Sequence, residues 1–177
     1  MSQTLLYVLP YLVLISQIVL VILFVTILSR GSWGGMVTKY LANHSIILGF
    51  LVTLVAVLGS LFYSEIMNYE PCSLCWWQRV LLFPQVILFL TALKFKDRHV
   101  FRYVWRLAFL AGIVALYQLY VQFGGHSILP CTTVSGSCSK VYVNAFGFLS
   151  IPLMSLTVAL YVLLLAWVDK LHENRHS

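Results

Sequence analysis

The chain has 177 residues, of which 61% are hydrophobic and only 9% are charged. This composition excludes a disordered chain and an ordinary water-soluble domain. The net charge of +6 does not indicate a nucleic-acid partner, because the basic residues lie in short segments beside apolar runs rather than on a basic face interleaved with aromatic residues.

Several apolar runs approach the roughly 20 residues that a helix needs to cross a bilayer. The first run is too long, and has too little charge before it, for a cleaved signal peptide, so we expect a retained helix. Pro10 is expected to kink this helix or to mark its first turn, Pro84 to kink the third helix, and Pro152 to lie in or near the first turn of the fifth. The polar, glycine-containing segment 30–44 is expected to connect the first two helices. The predicted helices cover about residues 5–29, 45–63, 76–93, 103–123 and 148–168.

Lysine and arginine are distributed unequally between the two sides that this topology defines. One side carries nine of them, and the other carries only Arg79 and Lys140. Cytoplasmic loops are enriched in lysine and arginine, so the sequence predicts an external amino terminus and a cytoplasmic carboxyl terminus. The nine residues predicted to be cytoplasmic are Arg30, Lys39, Lys94, Lys96, Arg98, Arg102, Arg106, Lys170 and Arg175.

The four cysteines form two pairs. Cys72 and Cys75 lie between helices two and three, and Cys131 and Cys138 lie between helices four and five. Because two crossings separate the pairs, both lie on one side, and the charge distribution predicts that this is the outside, where disulfides persist. Two structural disulfides are one interpretation, with three possible pairings. A structural zinc site is disfavoured by the six residues within the second pair and by the crossings between the pairs.

The first pair belongs to the segment EPCSLCWWQR, residues 70–79. A disulfide between Cys72 and Cys75 closes too small a loop to stabilise much, and the pair opens a helix, whose amino terminus favours a thiolate. Arg79 follows Cys75 by four residues and therefore shares its helical face. Snorkelling of Arg79 toward the headgroups, beside Trp76 and Trp77, is the alternative. The neighbouring thiols favour a functional cation.

The second pair flanks residues that are small or turn-forming, apart from Val134. This pattern predicts an exposed, mobile loop. A disulfide between Cys131 and Cys138 in such a loop is accessible to the thiol of another protein, as thiol–disulfide exchange requires. Stapling of the loop for stability is the alternative.

Two disulfides that exchange thiols create no net oxidising power, so an electron acceptor is needed. The chain has no glycine-rich dinucleotide motif, no C-x-x-C-H haem attachment site and no domain to hold a soluble cofactor. The remaining candidate is a lipophilic acceptor dissolved in the bilayer, and a quinone fits best. Arg79 is placed to stabilise negative charge on a quinone oxygen.

These residues resemble the DsbB family of disulfide-bond formation membrane proteins, over about residues 45–168. The likeness includes GSLFYSEI before the first pair, PCSLCWWQR itself, the cysteines at 131 and 138, and NAFGFLSIP before the last helix. The short second pair is similar to the compact branch typical of Gram-positive bacteria. The resemblance implies an all-α, polytopic membrane bundle with a four-helix core, to which this chain adds one amino-terminal helix. We therefore divide the chain into 1–44, with the extra helix and a cytoplasmic connection, a core at 45–170 and a cytoplasmic tail at 171–177.

The resemblance also implies a function, that of a thiol:quinone oxidoreductase in a bacterial cell membrane. A thioredoxin-like, DsbA-like partner outside the membrane would react with Cys131, and Cys138 would then exchange with Cys72. Cys75 and Arg79 would face the quinone, either ubiquinone or menaquinone, and no metal is implied. One alternative is an enzyme similar to vitamin K epoxide reductase, whose membrane C-x-x-C follows its loop pair in sequence, whereas here it precedes. The other is a non-enzymatic membrane protein with two structural disulfides.

Overall fold

The computed structural model describes residues 2–29, 32–68, 71–125 and 150–176. This part of the chain contains five helices that are long and apolar enough to cross a membrane, which confirms the predicted all-α membrane bundle. A π-helical turn, Phe62–Ile66, extends the second helix, and a 3-10 turn, Arg98–Val100, leads into the fourth. The helices are α1 (Ser2–Leu28), α2 (Ser32–Leu61), α3 (Ser73–Phe95), α4 (Phe101–Gln122) and α5 (Ile151–His176).

Helices α2 to α5 form a closed four-helix arrangement. Helix α2 packs against α3 and α5, and α4 packs against the same two helices. Helix α1 lies outside this ring, against α2 and α5. The four-helix core with one added amino-terminal helix is therefore the arrangement that the sequence predicts.

Small residues allow α4 and α5 to approach closely. The face of α4 that meets α5 includes Ala108, Ala111, Gly112 and Ala115, and none of the three alanines has exposed surface. A Cβ atom added at Gly112 would lie 3.8 Å from the Cβ atom of Ala159 on α5, which is ordinary van der Waals contact. Such small-residue faces favour helix association within a membrane, where close packing rather than water exclusion drives contact.

Two predicted boundaries are wrong. Helix α2 begins at Ser32, so most of the predicted connection 30–44 is helical, and α5 continues to His176 rather than ending near 168. In both places the apolar run marks only the part of the helix that can lie in lipid, whereas helical hydrogen bonding continues through polar residues that contain no proline. The division of the chain at 44 and 170 stays a prediction, although both boundaries fall inside helices. Pro10 and Pro84 lie inside helices that continue past them, and Pro152 lies in the first turn of α5, as predicted.

A polar cluster ties three elements together at the end of the bundle where α3 leads to α4. Arg98 donates from Nη2 to the backbone oxygen of Ala42 at 2.7 Å, and its Nη1 lies 3.8 Å from Oδ1 of Asp169. Ser45 donates to the same carboxylate oxygen at 3.4 Å. Asp169 is only 8% exposed, so its charge depends on these partners. The sequence assigned Arg98 to the cytoplasmic connection but contained no sign of this contact with α5.

Gly49 provides the space that a buried aromatic ring occupies. Phe89 has no exposed surface, and a Cβ atom at position 49 would lie 2.5 Å from its ring. The ring also packs edge-on against Phe101, with centroids 5.7 Å apart, so it has little room to move.

We expect Gly49→Ala to destabilise the protein, because overpacking costs about 1–3 kcal/mol while the gain in helix propensity is only about 1 kcal/mol. Thermal unfolding in detergent tests this expectation. Gly35→Ala is the matched control, since it lies in the same helix and nothing is within 4 Å of an added Cβ. A melting temperature for Gly49→Ala that rises as far as that of the control would contradict the prediction.

Candidate functional site

The first cysteine pair lies at the amino terminus of α3. Cys72 is the N-cap residue, with extended backbone angles, and its carbonyl accepts the hydrogen bond from the backbone N–H of Trp76 at 3.2 Å. Cys75 lies in the first turn, and the two Sγ atoms are 3.1 Å apart as a pair of free thiols. The free N–H groups of a helix amino terminus favour negative charge on a nearby sulfur.

The two sulfurs are not equivalent. Cys72 is 5% exposed, whereas Cys75 is half-buried. The side-chain hydrogen bond with Cys75, and then burial, raise the pKa of the Cys72 thiol above its ordinary value. The Cys72 thiol therefore holds its proton more tightly than an ordinary cysteine does.

A pair of buried glutamines lies directly beneath the thiols. Nε2 of Gln78, on α3, donates to Oε1 of Gln118, on α4, at 2.8 Å. Nε2 of Gln118 then lies 3.4 Å from the Cys75 sulfur and 3.6 Å from the Cys72 sulfur. Both glutamines are 5% exposed. The two amides thus connect α3 to α4, and the Gln118 amide presents its N–H groups to both thiols.

Arg79 follows one turn after Cys75 in α3, as predicted, and reaches across to α2. Its Nε donates to the hydroxyl of Ser60 at 3.0 Å, and its Nη2 donates to the carbonyl of the same residue at 3.1 Å. The guanidinium carbon lies 5.4 Å from the centroid of the Trp76 ring. These contacts hold the guanidinium inside the bundle, beside the π-helical end of α2. An arginine that only snorkelled toward the headgroups would not need them.

A cavity of about 830 Å³ connects these groups. Both thiols line it, together with Arg79 and both glutamines, and the rest of its wall is mostly apolar. Its volume is within the range of about 300–1,000 Å³ that is typical of small-molecule sites. Two buried oxygens in its wall, Oε1 of Gln122 and Oγ of Ser155, have no hydrogen-bond partner among the described residues. The described part of the cavity wall thus combines apolar side chains, the Arg79 cation and polar atoms that are free to bind a ligand.

Helix α1 forms part of the cavity wall. Leu12, Val13 and Ser16 line the cavity. The Tyr161 hydroxyl donates to the backbone oxygen of Ser16, and α1 is tied to α5 a second time by a hydrogen bond from Gln17 Nε2 to the Thr157 hydroxyl at 3.1 Å. The extra helix therefore closes one side of the cavity in addition to packing on the bundle.

Of the predicted site residues, Cys72, Cys75 and Arg79 lie around one cavity. Cys131 and Cys138 lie outside the described residues, in the segment between the end of α4 and the start of α5. Both of those helix ends contribute to the same cavity, through Gln122 and through the first turn of α5. The roles of all five residues stay predictions.

Sequence reasoning missed Gln118 and Ser60 as members of this site. The sequence does show that Gln118 places an amide in an apolar helix. Such an amide is costly to bury without a partner, so a partner is expected. That signal does not identify the partner, because Gln118 and Gln78 are 40 positions apart in the chain. The sequence gives even less indication that Ser60 belongs to the site, since serine is common in membrane helices.

A dithiol at the end of a membrane helix, facing a cavity with a neighbouring arginine, defines a class of multi-pass membrane protein that handles thiols and disulfides. Comparison with known proteins agrees. A profile of the family described as disulfide bond formation protein DsbB matches residues 42–168. The chain belongs to this family and is a disulfide-formation membrane protein with a thiol oxidoreductase role. Helix α1 and the first part of α2 lie outside the matched region.

Individual relatives extend this similarity over most of the chain. The SPbeta prophage-derived disulfide bond formation protein B of Bacillus subtilis is 36% identical over 144 residues, which cover 78% of this chain and 97% of that protein. Disulfide bond formation protein C of the same organism is 37% identical over 118 residues, 65% of this chain and 84% of the relative. A probable disulfide formation protein of Coxiella burnetii is 35% identical over 127 residues, 71% of this chain and 86% of the relative. No solved structure matches the chain.

Proposed function

We propose that the protein is a thiol:quinone oxidoreductase that reoxidises a thioredoxin-like, DsbA-like dithiol protein on the outer side of a bacterial cell membrane. One observation carries the proposal: the Cys72–Cys75 dithiol and the Arg79 guanidinium line one cavity among membrane-spanning helices. A binding site for a water-soluble electron acceptor does not need to be formed by five helices of membrane-spanning length. The family membership supports the thiol chemistry, and the cavity supports a lipid-soluble acceptor.

The proposed relay begins at the loop pair. A thiolate of the external partner attacks the Cys131–Cys138 disulfide at Cys131, and Cys138 leaves as a thiolate. The second thiol of the partner then releases the partner as a disulfide, which leaves Cys131 and Cys138 as a dithiol. Two electrons and two protons have entered the chain at this point.

The second exchange moves the electrons to the membrane pair. The Cys138 thiolate attacks Cys72, the Cys72–Cys75 bond breaks, and Cys75 receives the electron pair. Cys131 then attacks Cys138, which restores the loop disulfide and releases Cys72 as a thiol. The exchange leaves Cys72 and Cys75 as a dithiol, and free thiols at these positions can lie with their sulfurs 3.1 Å apart. The contact between the two sulfurs places the Cys72 thiol beside the sulfur that carries the charge.

The residues of the cavity fit a quinone, which accepts two electrons and two protons from a dithiol and becomes a quinol. The apolar wall suits its hydrocarbon part, and Arg79 supplies a positive charge for a developing oxyanion. Oε1 of Gln122 and Oγ of Ser155, which have no hydrogen-bond partner in the part of the chain that the structure describes, offer further polar contacts. Cys75 is proposed as the sulfur that faces the quinone, and completion of the reaction restores the Cys72–Cys75 disulfide.

We expect the purified protein, reconstituted with a quinone and given a reduced thioredoxin-like dithiol protein, to form one quinol for each partner disulfide. Quinone absorbance and alkylation of partner thiols measure the two products. Trapping the thiols of this chain during turnover should show both cysteine pairs partly reduced. Disulfides that stay oxidised while the partner is consumed would identify structural staples and exclude the relay. Net flow from quinol to the partner would favour the reductase direction.

A further inference from the structure

The thiol pair contacts the buried side chain of Gln118. Neither the family likeness nor the proposed relay gives this residue a role. Its amide nitrogen is within hydrogen-bond distance of both sulfurs, and it is nearer to Cys75, at 3.4 Å, than to Cys72, at 3.6 Å. Hydrogen bonds to sulfur are longer than those to oxygen because the sulfur atom is larger. We propose that Gln118 is a catalytic hydrogen-bond donor that stabilises the Cys75 thiolate when the Cys72–Cys75 disulfide opens, with Gln78 as its positioning residue.

The orientation of the Gln118 amide is coupled to that of Gln78. Its Oε1 accepts from Nε2 of Gln78 at 2.8 Å, so its own Nε2 points toward the sulfurs. A flipped amide would bring two NH₂ groups together and would place an oxygen, which is a poor partner for a thiolate, beside the sulfurs. Gln78 thereby fixes which end of Gln118 faces the reacting atoms.

Burial makes this contact consequential. Gln78, Gln118 and Cys72 are each 5% exposed, so little water competes for the sulfurs from this side. A hydrogen bond is electrostatically stronger in such a low-dielectric environment, and a bond to an ion is stronger than a bond between neutral groups. The donor is also already in place, so the charge can develop without reorganisation of the site.

The chemical step that benefits is cleavage of the membrane disulfide, and here the inference rests on the proposed function. The incoming thiolate forms a bond to the Cys72 sulfur, the Cys72–Cys75 bond breaks, and its electron pair stays on Cys75. Stabilising Cys75 as a leaving group speeds this step and favours the dithiol at equilibrium. The pair therefore becomes a stronger oxidant of the loop cysteines, which drives electrons inward.

The simpler explanation is structural, since buried glutamines commonly hold two membrane helices together. In that case the Gln78–Gln118 bond would matter for stability, and its proximity to the sulfurs would have no effect on their chemistry. The two explanations differ in one measurable quantity, the reduction potential of the Cys72–Cys75 pair. A helix-to-helix bond alone changes the melting temperature but does not change that potential.

The test uses the full chain with Cys131→Ser and Cys138→Ser, so that only the membrane pair titrates. The protein is equilibrated in dithiothreitol buffers of defined ratio, and the fraction of dithiol is measured by alkylation. In Gln118→Leu we expect the equilibrium to shift about tenfold toward the disulfide, which is about 30 mV for a two-electron couple. Gln78→Leu, which frees the Gln118 amide to rotate, should give a smaller shift in the same direction.

Two further variants separate loss of the donor from side effects. The double variant Gln78→Leu/Gln118→Leu removes both amides, so no buried amide is left without a partner to disturb folding. It should shift the reduction potential as far as Gln118→Leu does. Gln85→Leu is the matched control, because Gln85 is a fully buried glutamine of α3 whose amide donates to the carbonyl of Leu81 and which does not line the cavity. It should leave the potential unchanged.

Folded Gln118→Leu protein with an equilibrium within about twofold of the parent would overturn the proposal, at a resolution of about 9 mV by the same conversion. A double variant with the reduction potential of the parent would also overturn the proposal. In that case the shift in Gln118→Leu would come from the Gln78 amide that had lost its partner. Quinone reduction is measured separately in the protein with all four cysteines. A shifted potential without quinone reduction would contradict the proposed function alone, and quinone reduction without a shift would contradict only the role of Gln118.

Discussion

Cys75→Ser is expected to abolish steady-state quinone reduction while leaving a single round of partner oxidation intact. The loop disulfide is untouched by this change, so each protein molecule should oxidise one equivalent of the external dithiol and then stop. A serine hydroxyl cannot form the second bond of the membrane disulfide, so electrons have no route from Cys138 into the cavity. Quinone absorbance reports the loss of turnover, and alkylation of the partner reports the single equivalent.

The matched control for this change is Thr91→Val, which alters a hydroxyl residue on the exposed face of the same helix, about two turns beyond Phe83, the last α3 residue that lines the cavity. It should retain full turnover. Continued multiple turnover by Cys75→Ser would mean that the Cys72–Cys75 pair is a structural element, and the relay would be wrong. Loss of even the first equivalent would show that the change had disturbed the loop pair, which the relay does not predict.

The sequence was sufficient for the main architecture because the membrane imposes strong constraints. Apolar runs of spanning length predict helices whatever their packing, and the alternation of crossings predicts that the ends of α2, α3, α4 and α5 next to the cysteines lie together. The spacing of Cys75 and Arg79 likewise predicts a shared helical face, and both line one cavity in the structure. These inferences depend only on local periodicity and on the number of crossings.

The remainder of the site depends on contacts between helices, which periodicity does not encode. The pairing of Gln78 with Gln118 requires a particular rotation of α4 about its axis, and the bond from Arg79 to Ser60 requires that α2 turn this face toward α3. Helix α1 lines the cavity although it lies outside the region that the family profile matches. An unaided sequence identifies polar residues in membrane helices as unusual but does not say which of them meet.

The contacts of Arg79 make a second strong prediction possible, because they separate its charge from its anchoring. Ser60 uses Nε and Nη2 of the guanidinium, and the Trp76 ring lies against it. Among the described residues no carboxylate pairs with this cation, so its charge is available to a negatively charged group in the cavity. Lysine in its place would keep the charge but lose the fork that binds both atoms of Ser60.

In Arg79→Met we expect the apparent KM for quinone to rise on the order of 10- to 100-fold, the effect of losing one hydrogen bond to a charged group, with little change in thermal stability. Arg79→Lys should lie between methionine and the parent. Arg106→Met is the matched control, since this arginine also lies over a tryptophan, 6.0 Å from the Trp105 ring, but is exposed and does not line the cavity. An unchanged KM in Arg79→Met would mean that the guanidinium serves only to bind Ser60 and to anchor α3 against α2.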